Sequence, residues 1–500
     1  MIMAIRRILF VAIGFLIQIA FYALVLLFFG ELFPVIDVFY RILGILIVLY
    51  IIRTNRNLNV AMPVIVLILV FPIFGTVIFI SCGQTFIRSK TLRNISSNEQ
   101  DAKRYYLQDQ EVKEEVENID MIQMRYLYDQ NRFPVYNHNQ IKYYPLGDDA
   151  YPVMLEELKK AKHFIFLEYF IIHEGKLWNS ILDILKKKVK QGVEVRVMYD
   201  DIGCISTLNR KYPKELESYG IKCVVFNHLN PIAGVIMNNR DHRKILVIDG
   251  LVGFSGGMNL ADEYINVNSP YGHWKDNGIM VKGSAVWSMT LFFLTSWNAF
   301  RHEDPRFEKY KVDPIKYKDA GYVIPYCDSP LDQEDVGENV YINILAQAKD
   351  YVYIMTPYLI IDESMQRALV LAAQRGVDVR LIIPGIPDKK TVYQMTLSYC
   401  ERLISSGVKI YKYTPGFVHA KIFVSDDRLC TVGTINMDYR SLVHHFECGL
   451  FMCDCETVRA VKKDALDTIS RSQLLTAEEL KGGVGKSVYW SLLRVIAPLF

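Results

Sequence analysis

The chain has 500 residues, 51% of them hydrophobic, and its 57 Lys and Arg against 54 Asp and Glu leave a formal net charge of +3. That length points to two or three domains. So small a charge excess argues against a concentrated nucleic-acid-binding face, and nine cysteines without framework spacing argue against a disulfide-stapled extracellular domain.

Residues 1–93 read as a transmembrane region of two or three helices. Its candidate spans are Ile8 to Phe29, Val35 to Ile52 and Val60 to Ser81, each near the ~20 residues that cross a bilayer. Two more apolar stretches follow the first, with no small-residue cleavage site between them, so an anchor is expected rather than a signal peptide. Arg6, Arg7, Arg53 and Arg56 balance Arg41, Arg88, Lys90 and Arg93 across a three-span arrangement, so positive charge does not orient it. Asp37 and Arg41 suit an interfacial middle stretch, and Pro72 with Gly75 can break the last one. A two-span hairpin would return the rest of the chain to the side of the N-terminus, the cytoplasm. Residues 94–135 are rich in both charge signs and read as an exposed helix or linker.

Beyond the linker, short β-rich runs alternate with longer helical ones, an α/β signature. The alternation repeats. AKHFIFLEYFII (Ala161 to Ile172) matches AKDYVYIMTPYLII (Ala348 to Ile361), GVEVRVMYDD (Gly192 to Asp201) matches GVDVRLIIPG (Gly376 to Gly385), and YGIKCVVFN (Tyr219 to Asn227) matches SGVKIYKYT (Ser406 to Thr414). Two copies of one domain follow, over 136–305 and 306–480, with a charged, proline-bearing hinge around His302 to Asp319. The run Phe164 to Phe170 reads as sheet core.

Each copy carries His-x-Lys-x-x-x-x-Asp: His242, Lys244 and Asp249 in HRKILVID, His419, Lys421 and Asp426 in HAKIFVSD. Small-residue turns follow, GGMN ending in Asn259 and GTIN ending in Asn436, and the histidines and the asparagines are both 177 residues apart. One such triad arises by chance in roughly 3% of chains this long, and two with matched turns far more rarely. On a strand, side chains two apart share a face, so each histidine is presented beside its lysine. The aspartates, at an odd offset, face away and suit loop ordering and pairing with a cation elsewhere.

Two such halves packed about a pseudo-twofold axis would bring both imidazoles to one cavity. There a neutral imidazole can attack phosphorus while a protonated one supplies the leaving alcohol with its proton. Lysines and asparagines can stabilise the equatorial oxygens, the role a divalent ion plays elsewhere. No metal or cofactor is expected, and activity should survive a chelator.

These residues resemble the phospholipase D superfamily, and the chain over its whole length is similar to the bacterial cardiolipin synthases. The resemblance rests on NRDHRKILVIDGLVGFSGGMNLADEY, HWKD, the TPY at Thr356 to Tyr358, and FVHAKIFVSDDRLCTVGTINMDYRS. It implies tandem phospholipase D-like α/β domains behind the N-terminal membrane helices. It also implies phosphatidyl transfer between two phosphatidylglycerols through a phosphohistidine, giving cardiolipin and glycerol, or hydrolysis to phosphatidic acid if water is the acceptor. Phosphatidylglycerol and anionic lipids are the implied partners, not nucleic acid. The implied catalytic set is His242, Lys244, Asp249, His419, Lys421 and Asp426, with His242 as nucleophile, His419 as acid then base, and Asn259 and Asn436 near the phosphate. In this family an acidic residue downstream of each motif orients the histidine of that motif; Glu447 fits that place for the second motif and Asp276 for the first. The chain departs from the family pattern at His445, where Asn is usual, and in having Glu168-Tyr169 in the first repeat against Pro357-Tyr358 in the second.

Three further signals carry no function in this reading. KGGVGKS (Lys481 to Ser487) is like a phosphate-binding loop, but a helical segment precedes it and too few residues follow for a nucleotide domain. It reads as a link to an amphipathic tail, residues 481–500, suited to docking on protein or bilayer. Cys448, Cys453 and Cys455 lack metal-site spacing and read as buried thiols. His138, His163 and His228 have no partner spacing and read as surface or core residues.

Overall fold

A computed structural model describes Ala20 and residues 33–54, 57–82, 90–117, 122–227, 239–304, 306–318, 321–332 and 334–499. The chain forms two compact units, one of residues 1–89, 230–238 and 484–500, the other of 90–229 and 239–483.

In the first unit, helices Phe33–Thr54, Leu58–Val70, Pro72–Cys82 and Val484–Ile496 are described. Apart from Ala20, the candidate span Ile8 to Phe29 falls outside the described residues. The middle candidate is the helix Phe33–Thr54, with Asp37 and Arg41 paired at 2.6 Å. The last is divided at Phe71, where Pro72 begins a new helix; proline has no amide to continue the preceding one. No helix among the described residues is long and apolar enough to cross a membrane, so the expected transmembrane helices are not seen there. The unit shows a small core of Val48, Ile51, Ala61 and Ile68. Much of its apolar surface is exposed, including Val38, Phe39, Ile42, Leu46 and Leu49 on one helix and Val488 and Leu492 on another.

The second unit contains the duplication. The first copy has strands β1 (Gln140–Tyr144), β2 (Phe164–Tyr169), β3 (Glu194–Asp200), β4 (Lys222–Phe226), β5 (Lys244–Ile248), β6 (Val252–Gly256), β7 (His273–Lys275) and β8 (Gly278–Lys282). The second has β9 (Tyr322–Asp328), β10 (Tyr351–Met355), β11 (Leu359–Ile360), β12 (Asp378–Pro384), β13 (Lys409–Tyr413), β14 (Gly416–Val418), β15 (Ile422–Ser425), β16 (Leu429–Gly433), β17 (Met437–Asp438), β18 (Glu447–Cys453) and β19 (Ser472–Leu474). The first sheet runs β1-β8-β6-β5-β2-β3-β4, and the second, read in the matching direction, β9-β18-β16-β15-β10-β12-β13, with β19 added at its edge. The two orders are the same. Both sheets are mixed, with parallel β2-β3-β4 and β10-β12-β13 joined to antiparallel partners.

The motif strands lie centrally, which their unbroken apolar runs require: every residue of β2, β5, β10 and β15 is buried. Helix Val286–Arg301 is apolar nearly all round and is correspondingly enclosed, packing on β2, β5 and β6 and touching β9 of the other sheet. The segment read as an exposed linker is partly packed. Helix Lys90–Ala102 buries Leu92 and Ile95, and its Asn94 and Asn98 donate to the Ala299 and Thr295 carbonyls of helix Val286–Arg301.

Candidate active site

At the end of each motif strand the two copies exchange backbone. Residues leading to His242 lie beside those leading to Glu447, with His242 N donating to Phe446 O (2.9 Å) and Phe446 N to Arg240 O (2.8 Å). Reciprocally, β14 pairs in parallel with β7, and His419 N donates to Lys275 O at 2.7 Å. The side chains follow this crossing. His242 Nδ1 lies 2.9 and 3.0 Å from the two Glu447 oxygens, and His419 Nδ1 lies 2.6 Å from Asp276 Oδ2. Each carboxylate therefore serves the histidine of the other copy, not that of its own motif as the resemblance implied. A carboxylate at Nδ1 favours the tautomer with the ring proton there, which puts the lone pair on Nε2.

The lysines stand close by. Lys244 Nζ donates to His242 O at 2.7 Å; Lys421 Nζ lies 2.8 Å from His419 Nδ1 and donates to His419 O. All six side chains are buried. Burial, then the charges of Lys244, Lys421 and His419, holds His242 well below its usual range. His419 is pushed down to about 4 by burial and then by Lys421, against the pull of Asp276. Burial also lowers Lys421 to about 7 and Lys244 to about 8. For Asp276, burial raises the carboxyl, but the charges of His419 and Lys421 and two hydrogen bonds outweigh it and hold it below the ordinary value. Because charges from both copies act on His242, the two motifs share one electrostatic site.

Local sequence explains the close fit. A side-chain carbon at Gly257 would overlap the Asp276 carboxylate and crowd the His419 carbonyl, so the second glycine of GGMN is a requirement of the crossing. Its counterpart is Thr434, whose hydroxyl donates to Glu447 Oε2 and accepts from Cys448 N at 3.0 Å.

The family described as cardiolipin synthase, PLD-like domain, matches residues 154–282 and 341–466. The chain belongs to this cardiolipin synthase family. An uncharacterized protein of Streptococcus mutans is 46% identical over 90% of the chain and 99% of its own length. Cardiolipin synthase 2 of Bacillus cereus is 32% identical over 89% of the chain and 88% of its own length. The crystal structure of phosphatidylserine synthase from Haemophilus influenzae covers 76% of this chain and 98% of its own, with a TM-score of 0.59 at 15% identity, a likeness of fold.

Within this family fold, not all expected residues converge. Asp249 and Asp426 stand at the far ends of their strands; at ~3.3 Å per residue, each is roughly 20 Å along the chain from its histidine. Asp249 accepts the amides of Lys162, His163 and Phe164 at 2.7–2.8 Å, and Asp426 those of Lys349, Asp350 and Tyr351 at 2.8–3.0 Å. They order loops, and their partners are backbone amides where a cation was expected. Asn259 is committed to Ile171 N and Tyr264 OH, whereas Asn436 Oδ1 is buried without a partner.

Sequence reasoning missed several neighbours. Phe170, read as sheet core, is half-buried, with its ring 5.0 Å from that of His242; Tyr264 and Trp274 stand 5.4 and 5.5 Å from His419. Arg243 points away from the site and locks the motif strand through Glu168 (2.7 Å) and Asp241 (3.0 Å). HWKD gave a sign of Trp274; Phe170 had none, since it follows its strand without a motif. Elsewhere, Cys448, Cys453 and Cys455 are free thiols, the first two buried as expected and Cys455 only partly so. His138 and His163 are exposed, and His228 lies outside the described residues. A helix, Ala477–Leu480, precedes KGGVGKS, and the next begins inside it at Val484.

Proposed function

We propose that this protein is a membrane-held phosphatidyltransferase that makes cardiolipin and glycerol from two phosphatidylglycerols. The observation carrying this reading is the crossed pair of His–carboxylate contacts, which ties the histidine of each copy to a carboxylate of the other; in this reading the two imidazoles act on one phosphorus. His242 Nε2 attacks the phosphodiester, the phosphorus–oxygen bond to glycerol breaks, and His419 gives its proton to the departing oxygen. A hydroxyl of the second phosphatidylglycerol then loses its proton to His419 and attacks phosphorus, breaking the P–N bond. Lys244 and Lys421 neutralise the equatorial oxygens, with Asn436 Oδ1 within the buried site.

Both imidazoles favour the neutral form, which suits the nucleophile but not the acid. The phosphodiester supplies the difference: its negative charge beside His419 favours the imidazolium and restores charge to Lys421. Resting neutrality and substrate-induced protonation thus belong to one cycle.

The exposed apolar side chains of the first unit support a lipid-embedded role for residues 1–82 and the tail, in the plasma membrane of a bacterium with the catalytic unit in the cytoplasm. Their deletion should release the catalytic unit from carbonate-washed membranes. Incubation of the detergent-solubilised protein with phosphatidylglycerol tests the reaction. Cardiolipin and glycerol in equal amounts are expected; phosphatidic acid as the main product would make water the acceptor and the protein a hydrolase.

A further inference from the structure

His445 is a third imidazole beside the nucleophile, and the proposed reaction does not use it. Its ring centroid is 5.5 Å from that of His242, and it stacks on Phe170 at 6.5 Å. Its Nδ1 is buried, makes no hydrogen bond, and lies 3.8 Å from Glu447 Oε1, the atom that is 2.9 Å from His242 Nδ1. One ligand atom from each of His242, His445 and Glu447 lies within 4.8 Å of the others, and all three residues are buried.

Two imidazoles and a carboxylate are a ligand set for borderline divalent metals, zinc above all. With metal–ligand bonds of ~2.0–2.1 Å, the edges of a tetrahedral site are roughly 3.3–3.4 Å. The observed separations of 2.9 and 3.8 Å fall on either side of that length. Side-chain adjustments of well under an ångström would suffice for these two, and a water can fill the fourth position.

We infer that His242, His445 and Glu447 form an inhibitory site for zinc or a similar divalent ion. The inhibition follows from the tautomer. A metal on His242 Nδ1 displaces the proton shared with Glu447; the ring stays neutral by carrying that proton on Nε2, and Nε2 loses the lone pair needed to attack phosphorus. This consequence rests on the nucleophile assignment above, but the metal site does not. The ion is an inhibitor rather than a cofactor, so metal-free enzyme is the active form.

Co2+ titration of the full-length, detergent-solubilised protein tests the site directly. One Co2+ per chain, with the intense visible bands of four-coordinate cobalt, is expected, and those bands should vanish in His445→Asn. Asn keeps a donor near the Nδ1 position without the imidazole, and His445→Gln provides a second variant should the first not fold. In parallel, Zn2+ should inhibit the parent, and His445→Asn should need ~10-fold or more Zn2+ for the same fractional inhibition, each protein being compared with its own metal-free rate. Absence of the bands in the parent, their persistence in a folded His445 variant, or Zn2+ inhibition that is present and equal in parent and variant would overturn the inference. Bands that depend on His445 without inhibition would uphold the site and overturn His242 as nucleophile.

Discussion

The crossing of carboxylates assigns different work to two acidic residues that look equivalent. Glu447 contacts His242 and Asp276 contacts His419; in the proposed reaction the first therefore governs attack on phosphorus and the second proton delivery to the leaving oxygen. A leaving group that departs without a proton separates these roles. Glu447→Gln and Asp276→Asn should each slow turnover of phosphatidylglycerol on the order of 10²-fold or more. On a phosphatidyl nitrophenol, whose phenolate needs no acid, Asp276→Asn should recover its burst of phenolate and Glu447→Gln should not. Recovery by Glu447→Gln instead would make His242 the acid and His419 the nucleophile.

At the scale of strands and turns, the motif aspartates act as clamps. Asp249 holds three successive amides at the start of β2 from the turn after β5, and Asp426 repeats the arrangement between β10 and β15. Asp249→Ala leaves those amides without their partner, at a cost of about 1–3 kcal/mol. Its urea midpoint should therefore fall while kcat of the folded fraction stays near the parent value; loss of kcat without loss of stability would return Asp249 to the chemistry. The period-2 rule had already turned this side chain off the His–Lys face, and the repeated segments had already paired β2, β3 and β4 with β10, β12 and β13. Cross-copy contact was not legible. His242 to Glu447 spans 205 residues, and nothing local distinguishes a carboxylate that returns to its own copy from one that reaches the other. The break of the last apolar stretch was legible through Pro72, but hydropathy alone did not reveal that the surrounding helices are short.

For the molecule as a whole, the site is assembled against the interest of stability. Lys421, 1% exposed, sits beside a second buried lysine, and burial lowers it from its ordinary 10.5 to about 7. The sign follows from proton counting: between about pH 7 and 10.5 the unfolded chain holds a proton on this residue that the folded chain releases, so raising the pH favours folding across that window. Below about 7 both states are protonated, and the folded protein bears the whole cost of the buried charge. Lys421→Met keeps the apolar stem and removes that charge. It should abolish transfer yet leave stability at pH 6–7 unchanged or raised by about 1–4 kcal/mol, an advantage that shrinks as pH rises toward 10.5. Calorimetric Tm values for parent and variant across this range check the claim. A variant that is less stable at pH 6 and gains no ground there relative to pH 9 would show that Lys421 contributes to folding, and that the packed phosphate site is not a functional burden carried by the rest of the fold.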